Sequence, residues 1–167
     1  MEPRRQFTVT VTKEDFVFAA AHFITLPGHR CETLHGHNYR AGLEVEGELE
    51  PEGWYVLDFT MLKRVLRALT AELDHRVLLP TGNPKLTVTP ADDRVTVAFD
   101  GAVRYVFPRV DCALLPIPNT TVEMLAQYLA GRVRDELTRA GVRHVATLAL
   151  EVEENFGQSA TYRETIS

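Results

Sequence analysis

His35-Gly36-His37-Asn38-Tyr39-Arg40-Ala41-Gly42-Leu43-Glu44-Val45-Glu46 carries both the architecture and the chemistry of this 167-residue chain. From His37 to Glu48 apolar and polar residues alternate, the period-two pattern of a half-buried strand. With the segment extended from His35, side chains two apart share a face, so the rings of His35 and His37 stand roughly 6 to 7 Å apart along one strand. Both can then reach one ion. Upstream, Phe16-Val17-Phe18-Ala19-Ala20-Ala21-His22 is an apolar run suited to a buried strand, and pairing of the two strands would bring a third imidazole to the same point. Three neutral imidazoles match catalytic zinc, which commonly takes three protein ligands and keeps one position open. A closed structural site with Cys31 as fourth ligand uses the same residues, and spacing alone does not separate the two.

Outward from this strand, Phe7, Val9 and Val11 alternate with Thr8, Thr10 and Thr12 as a further strand. Pro27, Gly28 and the polar residues up to Thr33 read as a loop, Pro51-Glu52-Gly53 as a turn, and Val56 to Asp58 as resumed strand. From Phe59 to Leu73, Leu62, Leu66, Leu69 and Leu73 recur at helical spacing behind Asp58 as N-cap. A second amphipathic helix spans Val122 to Arg139, where Leu125, Leu129, Val133 and Leu137 form the buried stripe and Gly141 the stop. Thr120-x-x-Glu123 reads as its capping box. Between the helices, Leu86 to Thr89, Val95 to Phe99 and Val103 to Phe107 predict short strands joined by Asp/Gly turns. Val145 to Glu153 and Ser159 to Arg163 return to extended structure across Asn155-Phe156-Gly157. This order predicts an α+β domain over residues 1–167, an antiparallel sheet with helices packed on one face.

Composition bounds the function. An apolar content of 45% in a chain of this length supports one sizeable core and does not call for two domains. The net charge of -5, with no basic run interleaved with aromatics, argues against nucleic acid as a partner. Cys31 and Cys112 lie far apart and form no disulfide framework, which fits a reducing cytoplasm. Arg4, Arg5, Lys13, Glu14 and Asp15 break the N-terminal region, and no segment approaches the length of a membrane span. A soluble cytoplasmic protein is expected.

Several spaced motifs carry a resemblance. Ala20-Ala21-His22, Cys31-Glu32-Thr33-Leu34-His35-Gly36-His37-Asn38-Tyr39, Leu73-Asp74-His75, Asn119-Thr120-Thr121-Val122-Glu123 and Val152-Glu153-Glu154, in this order, resemble the 6-pyruvoyl-tetrahydropterin synthase and 6-carboxy-tetrahydropterin synthase family over nearly the whole chain except about residues 80 to 115. The resemblance implies the tunnelling fold, a four-stranded antiparallel sheet with two helices on one side, assembled into homo-oligomeric rings, typically hexamers, with active sites between subunits. It implies His22, His35 and His37 as Zn²⁺ ligands, Cys31 as catalytic thiol, Asp74 and His75 as its proton-handling partners, and Glu154 as the residue that holds the pterin. Thr121 would add backbone contacts to the pterin.

Each implied role has a chemical rationale. Loss of triphosphate from 7,8-dihydroneopterin triphosphate needs a Lewis acid for the hydroxyl oxygens, a base for a carbon-bound proton, and a donor on the other face. Cys31 acts as base only as thiolate, and a nearby cation lowers its pKa from about 8.5; the plainer reading, a small buried hydrophobe, applies better to Cys112. One carboxylate can accept the planar 2-amino and ring N–H pair of a pterin bidentately, the role expected of Glu154, although Glu151 and Glu153 are neighbouring acids. An adjacent Asp and His at a helix end often serve only as surface charges, so Asp74-His75 draws its weight from the surrounding motif. His29 and His144 read as ordinary loop or surface residues.

Two departures stand out. The span from Pro80 to Pro116 is longer than the loop usual at this place, and its hairpins are open to a role as rim, assembly contact or ornament. Glu32 directly follows Cys31, and in a related branch a Glu at about this place replaces the thiol as base for cleaving dihydroneopterin to 6-hydroxymethyl-dihydropterin in folate synthesis; a loop carboxylate in water is the plain alternative. The three residues between Cys31 and His35 match the carboxy-producing branch. The expectation is a zinc-dependent lyase making 6-carboxy-5,6,7,8-tetrahydropterin on the queuosine and deazapurine route. The alternatives are a 6-pyruvoyl-tetrahydropterin synthase, an added dihydroneopterin cleavage through Glu32, and a non-catalytic pterin-binding or zinc-stabilised assembly protein.

Overall fold

The computed structural model describes residues 6–12, 14 and 16–166, so Arg4, Arg5, Lys13 and Asp15 lie outside the described residues. The strands are β1 (Phe7–Val11), β2 (Val17–His22), β3 (Thr25–Leu26), β4 (Arg30–Cys31) and β5 (His35–Gly47), followed by helix α1 (Phe59–Ala71). Then come β6 (Arg76–Pro80), β7 (Leu86–Pro90), β8 (Arg94–Phe99), β9 (Ala102–Pro108) and β10 (Cys112–Leu115), helix α2 (Val122–Arg139), β11 (Val145–Glu154) and β12 (Ser159–Thr165).

The long strand β5 is the spine. Along one side its first half pairs antiparallel with β2 and its second half with β1; along the other it pairs with β11, which pairs in turn with β12. This is the expected antiparallel sheet, and it is larger than four strands. Beyond β2 the sheet continues through β6 and β10, both running parallel to their neighbours, to give seven strands. The additional strands escape a sequence reading because Val77-Leu78-Leu79 and Ala113-Leu114-Leu115 are short continuous apolar runs, as expected of parallel strands, with no alternation to mark them. Parallel neighbours also need a crossover connection. The crossover between β6 and β10 holds the inserted antiparallel sheet β7-β8-β9, formed where the alternating segments predicted it.

Both helices cover one face of the large sheet. Tyr39, Ala41, Leu43 and Val45 of β5 and Leu148, Leu150 and Val152 of β11 point to it and are buried with Leu62, Leu66 and Leu69 of α1 and Leu125, Leu129, Val133 and Leu137 of α2. The leucine stripes are core, as their spacing requires. Asp58 caps α1 by accepting from the Thr60 N–H at 2.8 Å. The cap of α2 is Thr121, whose hydroxyl accepts from Met124 N–H; the expected capping box at Thr120 is displaced by one residue because the Thr120 hydroxyl is committed to the Phe23 carbonyl at 3.0 Å. Val56 to Asp58 is likewise a bend and not a strand. Val56 and Leu57 are apolar because they enter the core, and the Val56 carbonyl is taken by His144 Nε2, which makes His144 more than a surface residue. A second, smaller core of Phe23, Leu79, Leu86, Val95, Val97 and Cys112 joins the inserted sheet to the body.

Candidate metal and substrate site

Antiparallel pairing sets His22 opposite His35 and Ala20 opposite His37, so all three imidazoles leave the sheet on the helix-covered face. Their ring centroids form a nearly equilateral triangle of 4.7, 4.9 and 5.1 Å, with each pair of rings edge-on. One nitrogen of each ring is anchored. His22 Nδ1 lies 2.9 Å from the Thr120 carbonyl, His35 Nδ1 2.8 Å from the Thr33 carbonyl, and His37 Nδ1 2.9 Å from the Asn155 side-chain amide. Carbonyl partners require the proton on Nδ1 of His22 and His35, which leaves Nε2 as a lone pair; at His37 the atom placed against Nδ1 is Asn155 Nδ2, and turning that amide over gives His37 the same tautomer. His22 Nε2 and His37 Nε2 are buried without a hydrogen-bond partner, and the three candidate ligand atoms lie within 4.8 Å of one another. Buried orphan nitrogens of this kind are costly unless something accepts their lone pairs. These three residues could hold a metal ion, and Cys31 is not among the ligand atoms so grouped.

Burial lowers the pKa of His22, assisted by the charges of His35 and His37 and opposed by the Thr120 carbonyl and Glu154. A neutral ring is the form that binds a metal. Beneath the triangle Tyr39 stacks on Phe18 with centroids 5.0 Å apart, and its fully buried hydroxyl has no hydrogen-bond partner among the described residues. Burial, with Glu154 adding to it, pushes that phenol up, so it stays protonated.

Register separates the three acids of β11. Glu154 pairs with Tyr39 and therefore shares the imidazole face, its Oε1 2.8 Å from His37 Nε2 but out of line for a hydrogen bond. Glu153 pairs with Arg40 and points the other way, where it forms an ion pair with the Arg40 guanidinium. Glu151 faces that same opposite side, two residues along the strand. Of the three, only Glu154 stands at the imidazole triangle.

Asp74 and His75 follow α1. Asp74 Oδ1 accepts from the Ala19 N–H at 2.8 Å and Oδ2 lies 2.9 Å from His75 Nδ1, while the His75 N–H donates to the Ala19 carbonyl. The Ala19 N–H first, and His75 second, lower the Asp74 pKa. His75 has a left-handed backbone (φ 55) and is mostly exposed, entering a cleft that His37, Asn155 and Arg76 also line. Cys31 sits in the β3-β4 hairpin, half-buried, with Sγ 3.7 Å from the Glu32 carbonyl. Burial pushes its thiol up, Arg104 pulls it down and Glu32 raises it again. The Glu32 main chain is tied to the Ile24 carbonyl at 2.9 Å. The Thr121 hydroxyl is occupied as a cap, and it is the preceding residue, Thr120, that touches the triangle.

A mixed sheet backed by two helices carries three convergent imidazoles that could hold a metal ion, with one carboxylate on the same face. The family model for 6-pyruvoyl tetrahydropterin synthase matches residues 10–165, and the chain belongs to that family. A Methanocaldococcus jannaschii protein named "Putative 6-carboxy-5,6,7,8-tetrahydropterin synthase" is 32% identical over 148 residues, covering 88% of this chain and 89% of that one. The solved structure of Plasmodium vivax 6-pyruvoyltetrahydropterin synthase superposes with a TM-score of 0.87 at 31% identity, covering 97% of this chain and 99% of that one. Further structures of that protein replace a glutamate, described there as a catalytic residue, by alanine or cysteine. A Pyrococcus furiosus protein named dihydroneopterin monophosphate aldolase is 43% identical over 61 residues, 36% of this chain and 50% of that one. The chain is thus a tetrahydropterin synthase-type enzyme. No helix among the described residues is long and apolar enough to cross a membrane.

Proposed function

We propose that the chain is a zinc-dependent lyase that converts 7,8-dihydroneopterin triphosphate to 6-carboxy-5,6,7,8-tetrahydropterin, in the cytoplasm and on the route to queuosine and other deazapurines. The observation that carries this reading is the imidazole triangle, with a partner within hydrogen-bond distance of each Nδ1 and the candidate ligand atoms within 4.8 Å of one another, beside a carboxylate on the same sheet face. Three imidazole nitrogens are the donor set of catalytic zinc, and His22, His35 and His37 would hold an ion that would supply a Lewis acid for the side-chain hydroxyl oxygens of the substrate. The protein does the rest. Glu154 accepts the 2-amino and ring N–H groups of the pterin and so orients the side chain toward the triangle. Cys31, as thiolate, removes a carbon-bound proton, helped by Arg104 against the effect of burial. Asp74 holds His75 by its Nδ1, and His75 handles protons from the cleft. The expected assembly is a homohexameric ring.

The decisive experiment incubates zinc-loaded protein with 7,8-dihydroneopterin triphosphate and identifies products by mass spectrometry. Cys31→Ala should keep its zinc and lose at least about a hundredfold in rate, the usual scale of a general base. No conversion by the zinc-loaded wild type overturns the reading, and loss of zinc or of assembly in Cys31→Ala favours a zinc-stabilised binding protein instead.

A second activity has its own support. Glu32 stands beside Cys31, the P. vivax relative has a glutamate described as catalytic, and the P. furiosus relative carries an aldolase name. Through Glu32 as base, the chain would also cleave dihydroneopterin to 6-hydroxymethyl-dihydropterin. Glu32→Ala should then abolish that product and spare the carboxy-pterin; equal loss of both counts against separate bases.

A further inference from the structure

Residues 80–116 have no function legible in their sequence, yet they grip the segment that carries Cys31 and Glu32. Two consecutive residues of β9 do this. The Arg104 guanidinium donates to the Glu32 carbonyl at 3.0 Å and to the Cys31 carbonyl at 3.4 Å, and the Tyr105 hydroxyl accepts from the Leu34 N–H at 3.2 Å. All three contacts are to main chain, so they hold position whatever side chain the segment presents. Behind them Tyr105 packs between Phe23 and Phe107, with centroids 5.2 and 5.4 Å away, and the side chains of Cys31 and Leu34 rest against the small core of the inserted sheet. The grip extends to the start of the loop, where Lys85 Nζ donates to the Leu26 carbonyl at 3.3 Å.

A main-chain clamp on adjacent residues matters here for a geometric reason. Cys31 and Glu32 are neighbours, and neighbouring side chains of an extended segment point to opposite sides. Rotating the main chain there therefore carries one side chain toward the substrate as it carries the other away. We propose that Arg104 and Tyr105 are positioning residues that fix the main chain of residues 31–34 and thereby set the share of turnover that runs through Cys31 and through Glu32. This rests on the two-base reading above. The inserted sheet is then a specificity device.

The test uses the full-length zinc-loaded protein as wild type, Arg104→Ala, Arg104→Lys and Tyr105→Phe. Two readouts are independent of turnover: hydrogen exchange of the amides at 31–34, and the rate at which iodoacetamide labels Cys31 relative to Cys112. Losing one hydrogen bond should speed Leu34 exchange about three- to tenfold in Tyr105→Phe, and Arg104→Ala should alter Cys31 labelling by a similar factor. With both substrates supplied, the ratio of carboxy-pterin to hydroxymethyl-pterin should shift about threefold or more in Arg104→Ala, with zinc content unchanged and KM within about twofold. Arg104→Lys keeps the charge but not the fork and should fall between wild type and alanine. A wild type that makes one product only refutes the two-base reading and with it the control of product share, while exchange and labelling still decide whether the clamp exists. Exchange, labelling and product ratio all within about twofold of wild type would overturn the proposal, as would faster exchange with no change in ratio or kcat, which would leave the insert a structural prop. A wild type that makes neither product refutes the functional reading and with it the control of product share, while exchange and labelling still decide whether the clamp exists.

Discussion

Each ring of the triangle has a partner at its Nδ1, distant along the chain for His22 and His37 and two residues away for His35. For His37 that partner is the Asn155 amide, 118 residues away along the chain and held by a turn in which Asn155 itself adopts a left-handed backbone (φ 57). Removing such a support leaves the ring free to rotate and to change tautomer. Asn155→Ala should therefore bind zinc about 10- to 100-fold more weakly than wild type, measured by competition with a chromogenic chelator, with the fold intact by circular dichroism. An unchanged affinity would show that Asn155 only closes the turn. That His35 and His37 share a face was readable in the sequence because a strand has a period of two. The distant supports were not: the contacts of Thr120 and Asn155 depend on which segment arrives beside the rings, and that of Thr120 involves a backbone group that every residue possesses.

At the scale of elements, β5 tolerates little change where three strands meet. Gly47 pairs with Phe7 of β1 and with Val145 of β11, beside the bulge between Val145 and Thr147. A Cβ there would lie 2.3 Å from the His144 carbonyl oxygen and 2.9 Å from Val145 Cα, both backbone atoms with no rotamer to yield. Gly47→Ala should cost about 1–3 kcal/mol, the range for forcing extra volume into a packed place, seen as a lower urea midpoint at unchanged slope. Helices and amphipathic strands were legible because their periodicity is strong, and α2 spans the residues that its leucine stripe marks. The short parallel strands β6 and β10 and the two-residue strands β3 and β4 were not, since four or five apolar residues, or two of any kind, carry no period. Val56-Leu57 shows the converse: apolar residues entering a core without joining a ladder.

Across the whole molecule, the outer sides of β12 and β10 end the large sheet with no further strand on them among the described residues. Phe7, Trp54, Tyr55 and Phe59 are exposed at the end of the sheet that carries β1. Unpaired edges and clustered apolar rings are the features that assembly covers. The ring proposed above predicts a particle of about 113 kDa, six times the 18.8 kDa chain, by light scattering on an eluting peak; a monomer at micromolar concentration would count against the hexamer. The alignment of β2 on β5 has a consequence for how the chain reaches this state. One imidazole of the triangle comes from β2 and two from β5, and sliding either strand by a single residue would turn its imidazoles through the sheet to the far side. An ion gripping all three is thus a proofreading staple that only the correct alignment can close, and refolding in its presence should proceed with fewer misaligned, slowly correcting chains than refolding with a chelator.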